Sequence, residues 1–218
     1  MTINAEVRHE AKEQNDGMER LLFFSDGVFA IAITLLAIEL HPPHDWNGTF
    51  SNLWSSGWRE FAAYGLSFAL IGMFWNSHRR IFIQIRSFSL GVFALNIVLL
   101  GAIALMPFVT NLIYRDGPAH DAFLIYLGTV VFAGFIQALM FAWAIFVART
   151  VDPSIHRARW ATSVLSAAVL PAMISASSLT LYGALARGMY SMWLPLVPLG
   201  AAFLIILLRA VAERRYAQ

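Results

Sequence analysis

Long apolar runs broken by short polar stretches set the pattern of this chain. Reading for charge-poor stretches gives six, at about residues 21–40, 58–78, 87–114, 122–148, 160–186 and 188–208. A helix needs about 20 largely apolar residues to cross the hydrocarbon core, and each run meets that length. The runs are continuous rather than alternating, so they do not read as strands of a membrane barrel. Pro107, Pro171, Pro195 and Pro198 fall inside them. Prolines are tolerated at such depth where neighbouring helices satisfy the freed carbonyls. The pattern therefore predicts an all-α integral membrane protein, one six-helix unit over residues 1–218. The longest connection is the stretch 41–58, and no internal repeat is visible.

Composition sharpens this picture. Hydrophobic residues make up 59% of the 218 positions and charged residues 13%, with 17 phenylalanines. Soluble domains carry about 25% charged residues, and so few charges could not solvate this much apolar surface. An ordinary soluble enzyme, a disordered chain and a fibrous chain are excluded. The absence of cysteine excludes disulfides and thiolate chemistry. The first 19 residues are polar and mixed in charge, without the basic-then-apolar pattern of a cleavable leader.

The net charge of +2 is too mild to argue for nucleic acid, so the placement of the charges matters more than their sum. Arg8, Lys12 and Arg20 precede the first run. Arg79, Arg80 and Arg86 follow the second, Arg149, Arg157 and Arg159 follow the fourth, and Arg209, Arg214 and Arg215 follow the sixth. These twelve of the 15 basic residues fall on one side, leaving Arg59, Arg115 and Arg187 for the other. The positive-inside rule then predicts a multi-pass protein of the cell (inner) membrane with both termini cytoplasmic. An even number of spans requires the termini to share a side, so count and charge bias agree.

One run is unlike the rest. The first carries Asp26, about six residues from its cytoplasmic start, whereas the interiors of the other five hold no charge. A carboxylate at membrane depth is expensive and is usually paired or functional. At about 100° per residue, Ile31, Thr34, Leu35 and Ile38 share an arc of roughly 100°, which Phe24 and Val28 extend toward the cytoplasm. Asp26 points to the opposite side, so it is expected to face helices of its own subunit. Trp75, His78 and Asn96 lie at similar depth and can donate hydrogen bonds to it. The simplest role for such a cluster is to hold the first helix in register. On periodicity alone the Ile31/Leu35/Ile38 stripe reads as lipid-facing or packed, and the Thr34 hydroxyl as bonded back to the carbonyl of Ala30.

Arg20, Phe24, Ser25 and Asp26 form an R-x-x-x-F-S-D motif, continued by the run from Gly27 to Leu36. This resembles the transmembrane protein 175 family of potassium channels in its prokaryotic form. Trp75 and His78 fit that family's W-x-x-H at the end of the second span, and Asn96 with Pro107-Phe108 fits its third-span pattern. The last three spans match by hydropathy alone. The resemblance implies a potassium-permeable channel without a T-V-G-Y-G filter loop, which this sequence also lacks. With one copy of the motif per chain, it implies a homotetramer in which the first helix of each subunit lines the pore. By position, Ile31, Leu35 and Ile38 fall on the hydrophobic constriction, with Thr34 as a hydroxyl layer where K⁺ is held transiently. Arg20, Phe24, Ser25 and Asp26 fall on the motif that holds the pore helix.

The expected partners are K⁺ ions, the lipid bilayer and further copies of the chain; nucleic acid, a cofactor and a resident metal are not. A proton-conducting leak is the nearest alternative function. A secondary transporter would need an acidic relay and usually inverted repeats, whereas Asp26 is a lone carboxylate. A membrane enzyme would need a metal-ligand cluster, a nucleophile elbow or a phosphate loop, and the sequence has none. His41 and His44 flank two prolines and read as an ordinary loop rather than a metal site. Glu39, at the end of the first run, reads equally as a solvated helix end or as a group that concentrates cations. Arg79 and Arg80 read as surface anchors, since no span carries the repeated arginines of a voltage sensor.

Overall fold

The computed structural model describes residues 2–43, 45–85, 87–115 and 120–150. The expected fifth and sixth spans, 160–186 and 188–208, lie outside the described residues. The described part is four α-helices in chain order: α1 (Thr2–Ile38), α2 (Phe50–Phe82), α3 (Leu90–Arg115) and α4 (His120–Phe146).

Helix α1 begins well before the first apolar run and extends it through the polar N-terminal segment, to 37 residues in all. That extension was not expected, because the polar segment carries no apolar period to signal a helix. Helix α2 is likewise longer than the expected 58–78, because its start is set by a cap rather than by hydropathy. Thr49 has extended backbone and its Oγ1 accepts from the Asn52 amide at 3.3 Å. Asn47 Oδ1 in turn accepts from the Thr49 amide at 3.1 Å and from its hydroxyl at 2.7 Å. Gly48 supplies the positive φ of +83° that turns the chain into this cap.

Among the described residues, three segments, Asp16–Ile38, Leu90–Ile113 and Asp121–Phe146, are long and apolar enough to cross a membrane. Helix α2 is not among them, although its 33 residues would reach about 50 Å at 1.5 Å per residue. Its polar positions Tyr64, Ser67, Trp75, Asn76, Ser77 and His78 dilute the hydropathy. Several of these hold neighbouring helices, as described below.

The densest packing is between α3 and α4, with α1 laid against α3 and α2. Phe29 of α1, Ile71 and Phe74 of α2, Leu99, Ile103 and Met106 of α3, and Met140 and Phe141 of α4 form its fully buried centre. Gly91 lets α3 and α4 close on one another, since the Trp143 indole fills the space a Cβ would take. Pro107 sits inside α3 without ending it.

Candidate functional site

Helix α1 has two distinct faces. Leu21, Ser25, Phe29, Ala32 and Leu36 recur every three or four residues and are buried against the other helices. The opposite face is open in the single subunit: Ile31 is 59% exposed, Leu35 40% and Ile38 68%, and Thr34 is exposed between them. Arg20, Phe24 and Gly27 continue this open face toward the start of the apolar run. The stripe expected from periodicity is therefore unburied, neither filling the subunit core nor covered by α2, α3 or α4.

Polar contacts fix the packed side of α1. The Trp75 indole of α2 donates to Asp26 Oδ1 at 2.8 Å, and the Arg79 guanidinium lies 5.9 Å from the centre of the Trp75 ring. Asp26 thus reaches a helix of its own subunit. His78 and Asn96, expected as further partners of Asp26, instead serve Ser25. Asn96 Nδ2 donates to Ser25 Oγ at 2.9 Å, and His78 Nε2 donates to Asn96 Oδ1 at 2.8 Å. Ser25 Oγ donates to the Leu21 carbonyl at 2.8 Å.

This chain of bonds has one direction. A hydroxyl carries one hydrogen, and Ser25 places it on the Leu21 carbonyl, so Ser25 must accept from the Asn96 amide. That orients the amide with Oδ1 toward the imidazole, which fixes the proton on Nε2. Ser25, His78 and Asn96 are all buried, and the His78 ring packs between Phe29 and Phe82 with centroids 5.5 and 4.4 Å away. Buried polar groups satisfied in this way specify a single packing, because any shift strands a donor or acceptor away from water.

Two further polar contacts were not foreseen. At the far end of α1, the Glu39 carboxylate accepts from Asn111 Nδ2 of α3, so Glu39 is a tie between helices rather than a solvated end. Midway along the bundle, Thr110 Oγ1 of α3 donates to the Met106 carbonyl at 2.7 Å and so accepts from Ser67 Oγ of α2 at 2.8 Å, and Ser67 lies 3.0 Å from Tyr126 Oη of α4. The signal for both was present: isolated polar residues at matching depth in separate apolar runs. The Thr34 hydroxyl bonds back to the preceding turn, but to the Ile31 carbonyl at 2.9 Å rather than to that of Ala30. The oxygen lone pairs remain available on the open face. His41 Nδ1 donates to the Glu39 carbonyl at 2.7 Å, and His44 lies outside the described residues.

A locked inner face and an open apolar outer face on the same helix invite comparison with known proteins. The family model described as endosomal/lysosomal potassium channel TMEM175 matches residues 20–107, which run from the arginine of the motif to Pro107. Over this stretch the chain is similar to the TMEM175 family. A potassium channel of Streptomyces collinus is 35% identical over 126 residues, 55% of this chain and 61% of that protein. A potassium channel of Chamaesiphon minutus is 40% identical over 108 residues, 48% of this chain and 52% of that one. The chain thus spans between half and two thirds of these curated relatives. The endosomal/lysosomal proton channel TMEM175 of Homo sapiens is 32% identical over 98 residues, 41% of this chain and 19% of its own.

A crystal structure of a lysosomal potassium-selective channel TMEM175 homologue from Chamaesiphon minutus aligns over 90% of this chain and 97% of its own. The TM-score is 0.58 at 28% identity. These TMEM175 relatives are ion channels and not enzymes. With its apolar helices, the chain is a multi-pass membrane protein.

Proposed function

We propose that the chain is the subunit of a potassium-permeable channel in which four copies surround a central pore. The observation that carries this reading is the asymmetry of α1. One face is fixed to α2 and α3 by Ser25 and Asp26, while Ile31, Leu35 and Ile38 form an uncovered apolar stripe on the other. Four such stripes around an axis make a narrow apolar neck, which can gate by dewetting. Four Thr34 oxygens at the same level would replace part of the hydration shell of a K⁺ ion. K⁺ gives up its water more readily than Na⁺, so a weakly polar neck favours it modestly. Arg20, Phe24, Ser25 and Asp26 then act as positioning residues, and the contacts of Trp75, His78 and Asn96 hold the neck at a fixed radius. The bacterial relatives named potassium channels support this reading.

The charge bias supports a topology with both termini cytoplasmic in a cell (inner) membrane. Relatives in mouse and human are named proton channels, so proton flux through the same neck is the second reading. Purified protein in liposomes tests both. Passive K⁺ flux exceeding Na⁺ flux is expected, with crosslinked species ending at four subunits. Strict coupling to a second ion would make the chain a transporter, and a protein that stays monomeric when crosslinked in the bilayer would end the four-helix pore.

A further inference from the structure

The elbow between α1 and α2 borders an open cavity of about 210 Å³, at the opposite end of α2 from Trp75 and Arg79. Its walls include His41, Pro43, Trp46, Leu53, Glu60 and Phe61. The cavity is held open by local chemistry. Gly57 lines it without a side chain, and a Cβ there would lie 3.4 Å from Pro43 Cγ and 3.6 Å from the Phe61 ring. The Trp46 indole donates to the Thr49 carbonyl at 3.1 Å, which holds it against the cap of α2. Phe61 is stacked on Trp54 at a centroid distance of 6.4 Å.

Among the described residues lining this cavity, Glu60 carries the one formal charge, amid two aromatic rings, two prolines and two leucines. Such walls exclude strongly hydrated inorganic ions, because they offer too few oxygens to replace a hydration shell. Anions are disfavoured by the carboxylate, and the first-turn amide of Asn52 that could attract them already bonds Thr49. What remains complementary is a cation whose charge is cloaked in carbon. Aromatic faces with a nearby carboxylate recognise alkylammonium groups in this way.

We propose that the α1–α2 elbow is a binding site for a small organic cation with an alkylammonium head, held by Glu60 between Trp46 and Phe61. The head can belong to a free cation or to a lipid headgroup, and both offer the same chemistry. The site is independent of the pore reading, because binding is read without flux.

Titration calorimetry on the full chain in uncharged maltoside micelles tests it, with choline chloride as the probe. Its uncharged carbon isostere, 3,3-dimethylbutan-1-ol, is the control. Saturable binding of choline alone is expected. Glu60→Gln keeps the shape of the wall and is expected to weaken binding about tenfold, the scale of one good charge contact. Leu53→Trp fills the cavity and is expected to abolish binding, and unchanged circular dichroism and melting of each variant confirm its fold. Equal binding of the alcohol, undiminished binding in Glu60→Gln, or no saturable binding by wild type would each overturn the site. Repeating the titration in phosphatidylglycerol nanodiscs with and without phosphatidylethanolamine separates the sources. Competition by the ethanolamine lipid assigns the site to a headgroup, and its absence assigns it to a soluble cation.

Discussion

Asn96 of α3 gives its side-chain amide to the Ser25 hydroxyl of α1 across 71 positions of sequence, at 2.9 Å and away from solvent. It is the middle of a directed chain from His78 to the Leu21 carbonyl, so its removal leaves partners on both sides unsatisfied. Buried donors or acceptors left unmade cost about 1–3 kcal/mol each. Asn96→Leu is therefore expected to lower the melting temperature in detergent clearly more than Ser25→Ala, which strands one amide hydrogen of Asn96 but leaves its oxygen bonded. A double-mutant cycle between the two positions should show coupling of about 1 kcal/mol. Additive effects would mean that the bond does not hold α1 to α3.

Trp75 and Asp26 link α1 to α2, and Arg79 lies over the same indole. Trp75→Phe keeps most of the ring and deletes the N–H, so packing survives while the carboxylate loses its partner. The expected stability loss is about 1 kcal/mol, the net worth of one hydrogen bond. The larger effect falls on the pore helix, whose rotation is no longer fixed at this level. Liposome K⁺ flux is expected to change by more than the small loss of stability accounts for, and Asp26→Asn in the Trp75→Phe background should add little. If the two substitutions prove independent, the indole and the carboxylate do not act as a pair.

The two faces of α1 were legible in the sequence because a single helical period fixes the relative directions of Ser25, Asp26, Ile31, Thr34, Leu35 and Ile38. Asp26 reaching α2 follows from the same geometry. What the sequence left open was the rotation of each partner helix. Depth alone put Trp75, His78 and Asn96 level with Asp26, yet Ser25, one residue away and about 100° around the axis, takes Asn96 and through it His78. The true start of α2 was hidden because an Asn47–Thr49–Asn52 cap sets it, within a stretch with no apolar period. The Glu39–Asn111 and Ser67–Thr110 ties depended on which helices are neighbours, and hydropathy does not report that.

The close approach of α3 and α4 at Gly91 gives a prediction about folding rather than conduction. A methyl group there would overlap the Trp143 indole. Gly91→Ala forces the ring or the helices to move and is expected to cost about 1–3 kcal/mol, despite the helix propensity that alanine adds. Trp143→Leu in the same chain clears the space and should recover part of the loss. An unchanged melting temperature for Gly91→Ala alone would show that the indole moves aside freely.

Ile31 offers the sharpest separation of pore from core. Its side chain is 59% exposed in the single subunit, whereas Phe29, two residues earlier, is 1% exposed. Ile31→Asn removes little packing within the subunit, so the melting temperature of the chain is expected to stay near wild type. Around a four-fold axis, however, four amides would replace the apolar collar and let water persist in the neck. Cation leak into liposomes should rise, with less preference for K⁺ over Na⁺, because a wetter neck asks less dehydration of either ion. Phe29→Asn is the contrasting control: it buries a polar group without a partner and is expected to unfold the subunit rather than open it. Unchanged conductance in Ile31→Asn would remove α1 from the pore and make its open stripe a lipid-facing surface.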